Sequence, residues 1–223
     1  MISESEVQVP ARFTGAPDTA HGGYTCGLLA TAAPPTGGTA VVSLVLPAPL
    51  EQPMRLETSP DQAVLVFGEE LIATMVVSPE PIPAVPPVTA LDADRAAENF
   101  LGRDDHPFPT CFVCGPDSVD GLLLTPGPLE PGLVACPWVP LDTAPEITWA
   151  VLDCAASWAT DEPMALTRMA ADPRTPPRPG ERCVVVARQV QRVGPQATTL
   201  AALYAEDGAL LATATAQWTA LDV

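Results

Sequence analysis

The chain has 223 residues, 47% of them apolar, enough to bury one substantial core or two small ones. Its 27 acidic residues face only ten cations, all of them arginine, and the resulting net charge of −17 argues against nucleic acid or an anionic membrane as partner, since both select cationic surface. Charged residues make up only 17% despite 28 prolines, which is the composition of a folded protein rather than of a disordered acidic chain. In chain order, the start Met-Ile-Ser-Glu-Ser-Glu carries no apolar stretch of a secretory signal, and no run of 18 apolar residues could span a membrane. A cytoplasmic protein is therefore expected, with its six cysteines reduced among apolar neighbours. An irregular stretch ending in Gly15-Ala16-Pro17-Asp18 leads into an apolar helix from Gly22 to Ala33, stopped by Pro34-Pro35. Strand-like runs follow at Ala40–Leu46, Met54–Thr58, Ala63–Phe67 and Leu71–Val77.

Prolines 79, 81, 83, 86 and 87 then mark an extended connector, which neither a helix nor an inner strand tolerates. A short amphipathic helix is expected next, with Leu91, Ala96, Phe100 and Leu101 on one side, before a polar, proline-rich stretch to Pro109. Beyond it, Leu122–Leu124 and Leu133–Trp138 read as strands. The pattern Thr143-Ala144-Pro145-Glu146 reads as a capping box for a second apolar helix through Trp149, Leu152 and Trp158. A loop rich in Pro and Arg precedes three more strand runs, Cys183–Val193, Ala197–Tyr204 and Leu210–Trp218.

The two sides of the proline connector share one order of parts, an apolar helix followed by antiparallel strands. Their last strands nearly repeat: Leu71-Ile72-Ala73-Thr74 against Leu210-Leu211-Ala212-Thr213. The expected architecture is α+β, with each apolar helix wrapped by its own sheet. The halves divide as residues 1–78 and 110–223, joined by a linker at 79–109.

The segment His21-Gly22-Gly23-Tyr24-Thr25-Cys26-Gly27 resembles the start of the central helix in hotdog-fold acyl-CoA thioesterases of the phenylacetate-pathway type. Cys111-Phe112-Val113-Cys114-Gly115-Pro116, followed by Gly121-Leu122, resembles the opening strand of small bacterial hotdog proteins. Two such halves make the chain similar to a double hotdog, a fused version of the usual dimer. The resemblance implies hydrolysis of an acyl thioester carried by CoA or a carrier protein, with no metal or organic cofactor. It also implies that double units can pair again into a homo-oligomer.

In that family the catalytic carboxylate lies nine residues after the histidine, where this chain has Ala30. Overlaying the second helix on the first brings Asp153 to that position, while Ala144-Pro145-Glu146 stands where His-Gly-Gly would be. Since such sites form across the dimer interface, the resemblance implies one complete site: Gly22 and Gly23 facing Asp153. Glycines at a helix start suit the role of oxyanion donors, because the carbonyl can approach unpaired N–H groups at the positive end of the helix. Asp153 is the expected general base or nucleophile and Ser157, one turn later, an auxiliary. His21, Tyr24 and Trp149 are expected to line the substrate, and Arg178 and Arg182 to meet CoA phosphates. Pairing with nearby Asp161, Glu162, Asp172 and Glu181 is the plainer fate for most arginines of that region.

Other chemistries find less support. Cys111-x-x-Cys114 has zinc-knuckle spacing, and His106 with Cys136 could complete four ligands, but there is no second CxxC. No βαβ pattern surrounds it to suggest a thioredoxin-like site. There is no G-x-S-x-G, G-x-x-x-x-G-K or G-x-G-x-x-G. A hotdog hydratase would want Asp and His within one short motif. The rival expectation is a non-catalytic acyl or hydrophobic-ligand binding module.

Overall fold

The computed structural model describes residues 2–160 and 162–221. In chain order they form β1 (Ser3–Val7), α1 (Gly22–Ala32), β2 (Thr39–Leu44), β3 (Met54–Ser59), β4 (Gln62–Phe67), β5 (Glu70–Ser78) and α2 (Ala90–Glu98). Then come β6 (Gly127–Glu130), β7 (Leu133–Trp138), α3 (Pro145–Trp158), β8 (Met164–Pro173), β9 (Cys183–Val193), β10 (Gln196–Ala205) and β11 (Leu210–Ala220). Every strand joins one antiparallel sheet in the order β1-β3-β4-β5-β2-β8-β11-β10-β9-β7-β6. Outward from the β2–β8 junction, both sides follow one rule. The strand after the long helix comes first, then the last strand of that side, then the one before it.

The junction is short: Ala40, Val41, Val42 and Ser43 pair with Ala171, Ala170, Met169 and Arg168. The sheet curves around α1 and α3, whose apolar residues cannot face water on any side. From Ile147 to Ala156 every residue of α3 is buried, and Cys26, Leu29 and Ala30 of α1 join the same core. The two helices run antiparallel and very close, and glycine makes that spacing attainable. A Cβ on Gly23 would lie 2.5 Å from Asp153 Cβ and 2.8 Å from the Trp149 carbonyl oxygen. One on Gly27 would lie 2.6 Å from Glu146 Cα.

The proline connector stays extended on the outer face of the sheet, burying Ile82 and Val85, and the Tyr204 hydroxyl donates to the Val85 carbonyl at 2.6 Å. Helix α2, capped by Thr89, packs beside it through Ala93 and Ala96. Here the expected apolar face is corrected. Leu91 is 57% exposed and Leu101 70% exposed, because α2 lies on the sheet so tightly that only alanines fit; a Cβ on Gly127 of β6 would sit 1.7 Å from the Ala96 carbonyl oxygen.

Four other expectations change. The Cys111–Gly115 and Leu122–Leu124 segments are turns and irregular backbone, tied by Gly115 N–H to the Cys111 carbonyl at 2.8 Å and Leu124 N–H to the Val113 carbonyl at 2.7 Å. The outer strand is β6 instead. Helix α3 has Ala144 at its start with no side-chain cap; Asp142 accepts the Ala144 N–H at 3.0 Å, so the Thr143 box does not form. Part of the expected Pro/Arg loop is β8, a central strand. The acidic N-terminus forms β1, an edge strand whose glutamates discourage further pairing.

Candidate active site

His21 is delivered to the start of α1 by a tight loop. Its N–H donates to the Phe13 carbonyl at 2.9 Å, and Gly15 passes so close that a Cβ there would lie 2.9 Å from His21 Cα. With extended φ and ψ, His21 occupies the N-cap position, and its carbonyl accepts from both the amide and hydroxyl of Thr25. Asp153 approaches from the middle of α3 across the helix crossing. Its Oδ2 accepts the Gly23 N–H at 2.7 Å and lies 3.3 Å from His21 Nδ1. The other oxygen, Oδ1, takes no hydrogen bond from the described residues, yet is not sealed from solvent. The residue as a whole is 6% exposed.

Burial pushes the Asp153 carboxyl up to about 6, against the opposing pull of His21 and the Gly23 N–H. Burial alone would lower His21, but the Cys111 sulfur and the Asp153 carboxylate outweigh it and its pKa is raised. The pair is thus a buried carboxylate and imidazole that share charge, at the positive end of α1.

The remaining predicted residues fall around this pair. Gly22 N–H has no acceptor among the described residues. Tyr24 stacks on Phe13 with ring centroids 4.0 Å apart, and Phe112 stands edge-on to the His21 ring at 5.1 Å. Trp149 is fully buried against Gly27. Ser157 is half-buried one turn beyond Asp153, with no hydrogen bond to its hydroxyl among the described residues. Arg178 is paired with Glu181 at 3.4 Å and Arg182 with Asp94 of α2. Arg174 pairs with Asp172, Arg188 with Glu130 and Arg192 with Glu162; Asp161 lies outside the described residues. Arg168 makes no ion pair among the described residues and is exposed.

A feature the sequence reading missed lies behind the carboxylate. Cys154, the neighbour of Asp153, brings its sulfur to 3.2 Å from His21 Nε2, 3.2 Å from Cys114 Sγ and 3.7 Å from Cys111 Sγ. The cysteine set considered above is therefore corrected. Cys136 is buried on β7 and makes none of these contacts, and Cys154 of α3 meets Cys111 and Cys114 instead. Nothing in the spacing announces this, because 40 residues separate Cys114 from Cys154. Two surface hollows lie elsewhere, one against β1 and β3, the other against β9, β10 and β11.

No protein-family model matches the chain, and no curated protein matches it in sequence. Solved structures do match. A thioesterase candidate from Novosphingobium aromaticivorans DSM 12444 is 18% identical, with TM-score 0.67 over 98% of this chain and 95% of that one. A conserved hot dog protein of unknown function from Alicyclobacillus acidocaldarius is 16% identical, with TM-score 0.61 over 100% and 97%. An acyl-CoA thioesterase II from Mycobacterium marinum is 15% identical, with TM-score 0.55 over 97% and 92%. At such identities the likeness establishes the fold: the chain is an α+β protein of the hotdog type, matched over almost its whole length.

Proposed function

We propose that the chain is a fused pair of hotdog halves, 1–78 and 110–223 joined by the linker 79–109, which hydrolyses acyl thioesters at a single site between α1 and α3. The observation that carries this reading is the way Asp153 is held: one carboxylate oxygen is fixed by the Gly23 N–H at 2.7 Å, while the other takes no hydrogen bond from the described residues. The fold shared with an acyl-CoA thioesterase II supports the reaction class.

In the proposed reaction the thioester carbonyl oxygen accepts the free Gly22 N–H and shares that of Gly23, so that charge develops at the positive end of α1. Asp153 takes a proton from water, whose oxygen bonds to the carbonyl carbon; the C–S bond breaks and the departing sulfur recovers the proton from Asp153. Direct attack by the carboxylate, followed by hydrolysis of the anhydride, is the variant of the same geometry. Ser157 orients the water, His21, Tyr24 and Trp149 shape the acyl site, and Arg178 and Arg182 attract the carrier's phosphates against the acidic body of the protein. The quasi-equivalent site at the other end of the crossing is dead, having Ala30 for its acid and Pro145, with no N–H, at its helix start. The protein works in the cytoplasm, and pairing of two chains through their sheets is the expected assembly.

A second reading, a non-catalytic acyl or hydrophobic-ligand binding module, is favoured by the small exposure of Asp153 and by the fact that its carboxylate already uses the Gly23 N–H. The test is a panel of short, long and aromatic acyl-CoAs and the matching acyl-carrier-protein thioesters, given to wild type and Asp153→Asn. Hydrolysis abolished by the substitution supports the enzyme. Hydrolysis that survives it removes this mechanism, and binding without hydrolysis supports the module.

A further inference from the structure

The thiols behind Asp153 are arranged as no apolar core requires. Cys111, Cys114 and Cys154 come from two distant segments, yet their sulfurs lie 3.8, 3.2 and 3.7 Å apart around the triangle. A disulfide needs about 2.05 Å. Sulfurs sharing one tetrahedral metal, with metal–sulfur bonds of ~2.3 Å, lie about 3.8 Å apart, the spacing of two of the three pairs here; the Cys114–Cys154 pair is closer, at 3.2 Å. His21 adds an imidazole, and its ring nitrogen, Cys111 Sγ and Cys154 Sγ all lie within 4.8 Å of one another; Cys114 Sγ joins this group of three through Cys111 and Cys154, not through His21. All four residues are buried.

Of the two histidines present, their position among the sulfurs selects one, since His21 shares its surroundings with both Cys111 and Cys154. His106 Nδ1 accepts the Phe108 N–H at 2.9 Å, so its proton sits on Nε2, pointing at Cys114 Sγ 3.3 Å away. It donates to this one sulfur and makes no hydrogen-bond contact with Cys111 or Cys154 among the described residues. Trp158 Nε1–H donates to the same sulfur at 3.5 Å. His21 Nε2 faces Cys154 at 3.2 Å, while Nδ1 accepts the Tyr24 N–H at 3.4 Å and lies 3.3 Å from the Asp153 carboxylate. With a metal on Nε2 the ring proton would move to Nδ1, where Asp153 stands ready to take it, the carboxylate–histidine–metal arrangement that fixes tautomer and ring. The turn that presents the first two thiols is itself constrained, since a Cβ on Gly115 would lie 2.5 Å from Cys111 N and 2.4 Å from the Pro109 carbonyl oxygen.

We propose that Cys111, Cys114, Cys154 and His21 bind one zinc ion in a closed, four-coordinate site, with His106, Trp158 and Asp153 as its hydrogen-bonding surround. As each Zn–S bond forms, the thiol gives its proton to solvent, so binding tightens as pH rises. Four protein ligands leave no position for substrate, which makes the ion structural. It ties the Cys111–Cys114 turn, the start of α1 and the middle of α3 into one unit and holds His21 against Asp153. The proposal uses residues next to the thioester site but does not depend on hydrolysis.

The test uses the full chain, reduced, tag-free and stripped of metal, titrated with Co²⁺ alone and then with Zn²⁺ in competition. The expected result is one cobalt per chain, with thiolate-to-cobalt charge transfer and the strong visible bands of a tetrahedral site, displaced by one equivalent of zinc. Cys154→Ser and His21→Gln should lose that spectrum, Cys136→Ser should keep it, and His106→Gln should keep it with affinity lowered on the order of 10- to 100-fold. A reduced, folded wild-type chain that shows no thiolate–cobalt band overturns the proposal, as does loss of the band in Cys136→Ser. If the ligand variants do not fold, alkylation of the wild type decides. Zinc should protect Cys111, Cys114 and Cys154 and leave the reactivity of Cys26, Cys136 and Cys183 unchanged, whereas equal labelling with and without zinc, or a Cys111–Cys114 disulfide in its place, refutes the site.

Discussion

The two ends of the α1–α3 crossing are packed alike and equipped differently. At one end Gly23 lies against Asp153, at the other Gly27 lies against Glu146, and a Cβ at either glycine would come within 2.6 Å of the facing helix. The first end buries a carboxylate, an imidazole and three thiols; at the second, Ala30 is buried without a charge and Glu146 is only half-buried. Close helix contact therefore needs glycine but not charge. A buried carboxylate in a protein this apolar costs free energy, so its presence at one end alone is the asymmetry on which the proposed one-site reading rests.

Breaking that comparison starts with the glycines. Gly23→Ala should remove hydrolysis and lower stability by roughly 1–3 kcal/mol, as expected for overpacking. Gly27→Ala should cost similar stability, read by urea unfolding, while the folded protein keeps its turnover. Equal loss of turnover in both would erase the distinction between the ends. Installing an acid at the silent end is a sharper probe. Ala30→Asp should create no second site, because Pro145 offers no N–H at that helix start, and should destabilise the fold by burying an unpaired charge. A doubled turnover number would refute the one-site account. The smallest effects belong to the arginines. Arg178→Ala, at a residue 80% exposed on its side chain, and Arg182→Ala should raise KM for CoA thioesters a few-fold at low salt and leave it unchanged for the phosphate-free pantetheine thioester. An equal change for both substrates would remove their phosphate role.

Much of the fold was legible because runs of β-branched and apolar residues such as Cys183–Val193 and the two largely apolar helices admit few alternatives. The strands that escaped did so for reasons of position. In β8, Met-Ala-Leu-Thr-Arg-Met-Ala-Ala-Asp-Pro mixes alanine and arginine because it lies between β2 and β11 in the centre of the sheet, where pairing partners rather than its own pattern define it. Acidic β1 and the Gly-Pro start of β6 lie at the two edges, where propensity matters least. The juxtaposition of Gly23 and Asp153 could be anticipated from the overlay of one helix on the other together with the resemblance to a family whose sites form across a dimer interface. The sulfur cluster could not: His106, Cys111, Cys114 and Cys154 meet through a loop without regular structure, which no periodicity describes.

The central claim is that one end of the crossing, and not the other, does chemistry. It is tested most directly by measuring kcat/KM for Asp153→Asn and Glu146→Gln side by side on whichever thioester the wild type hydrolyses best. Asp153→Asn keeps the shape of the residue and an oxygen for the Gly23 N–H, so a loss of ~10²–10⁴-fold is expected from the missing base alone. Glu146→Gln is expected to stay within about twofold of wild type, since it keeps the size of a half-buried side chain and removes no group of the proposed site. A wild-type rate in Asp153→Asn, or an equal loss in both variants, would contradict the account.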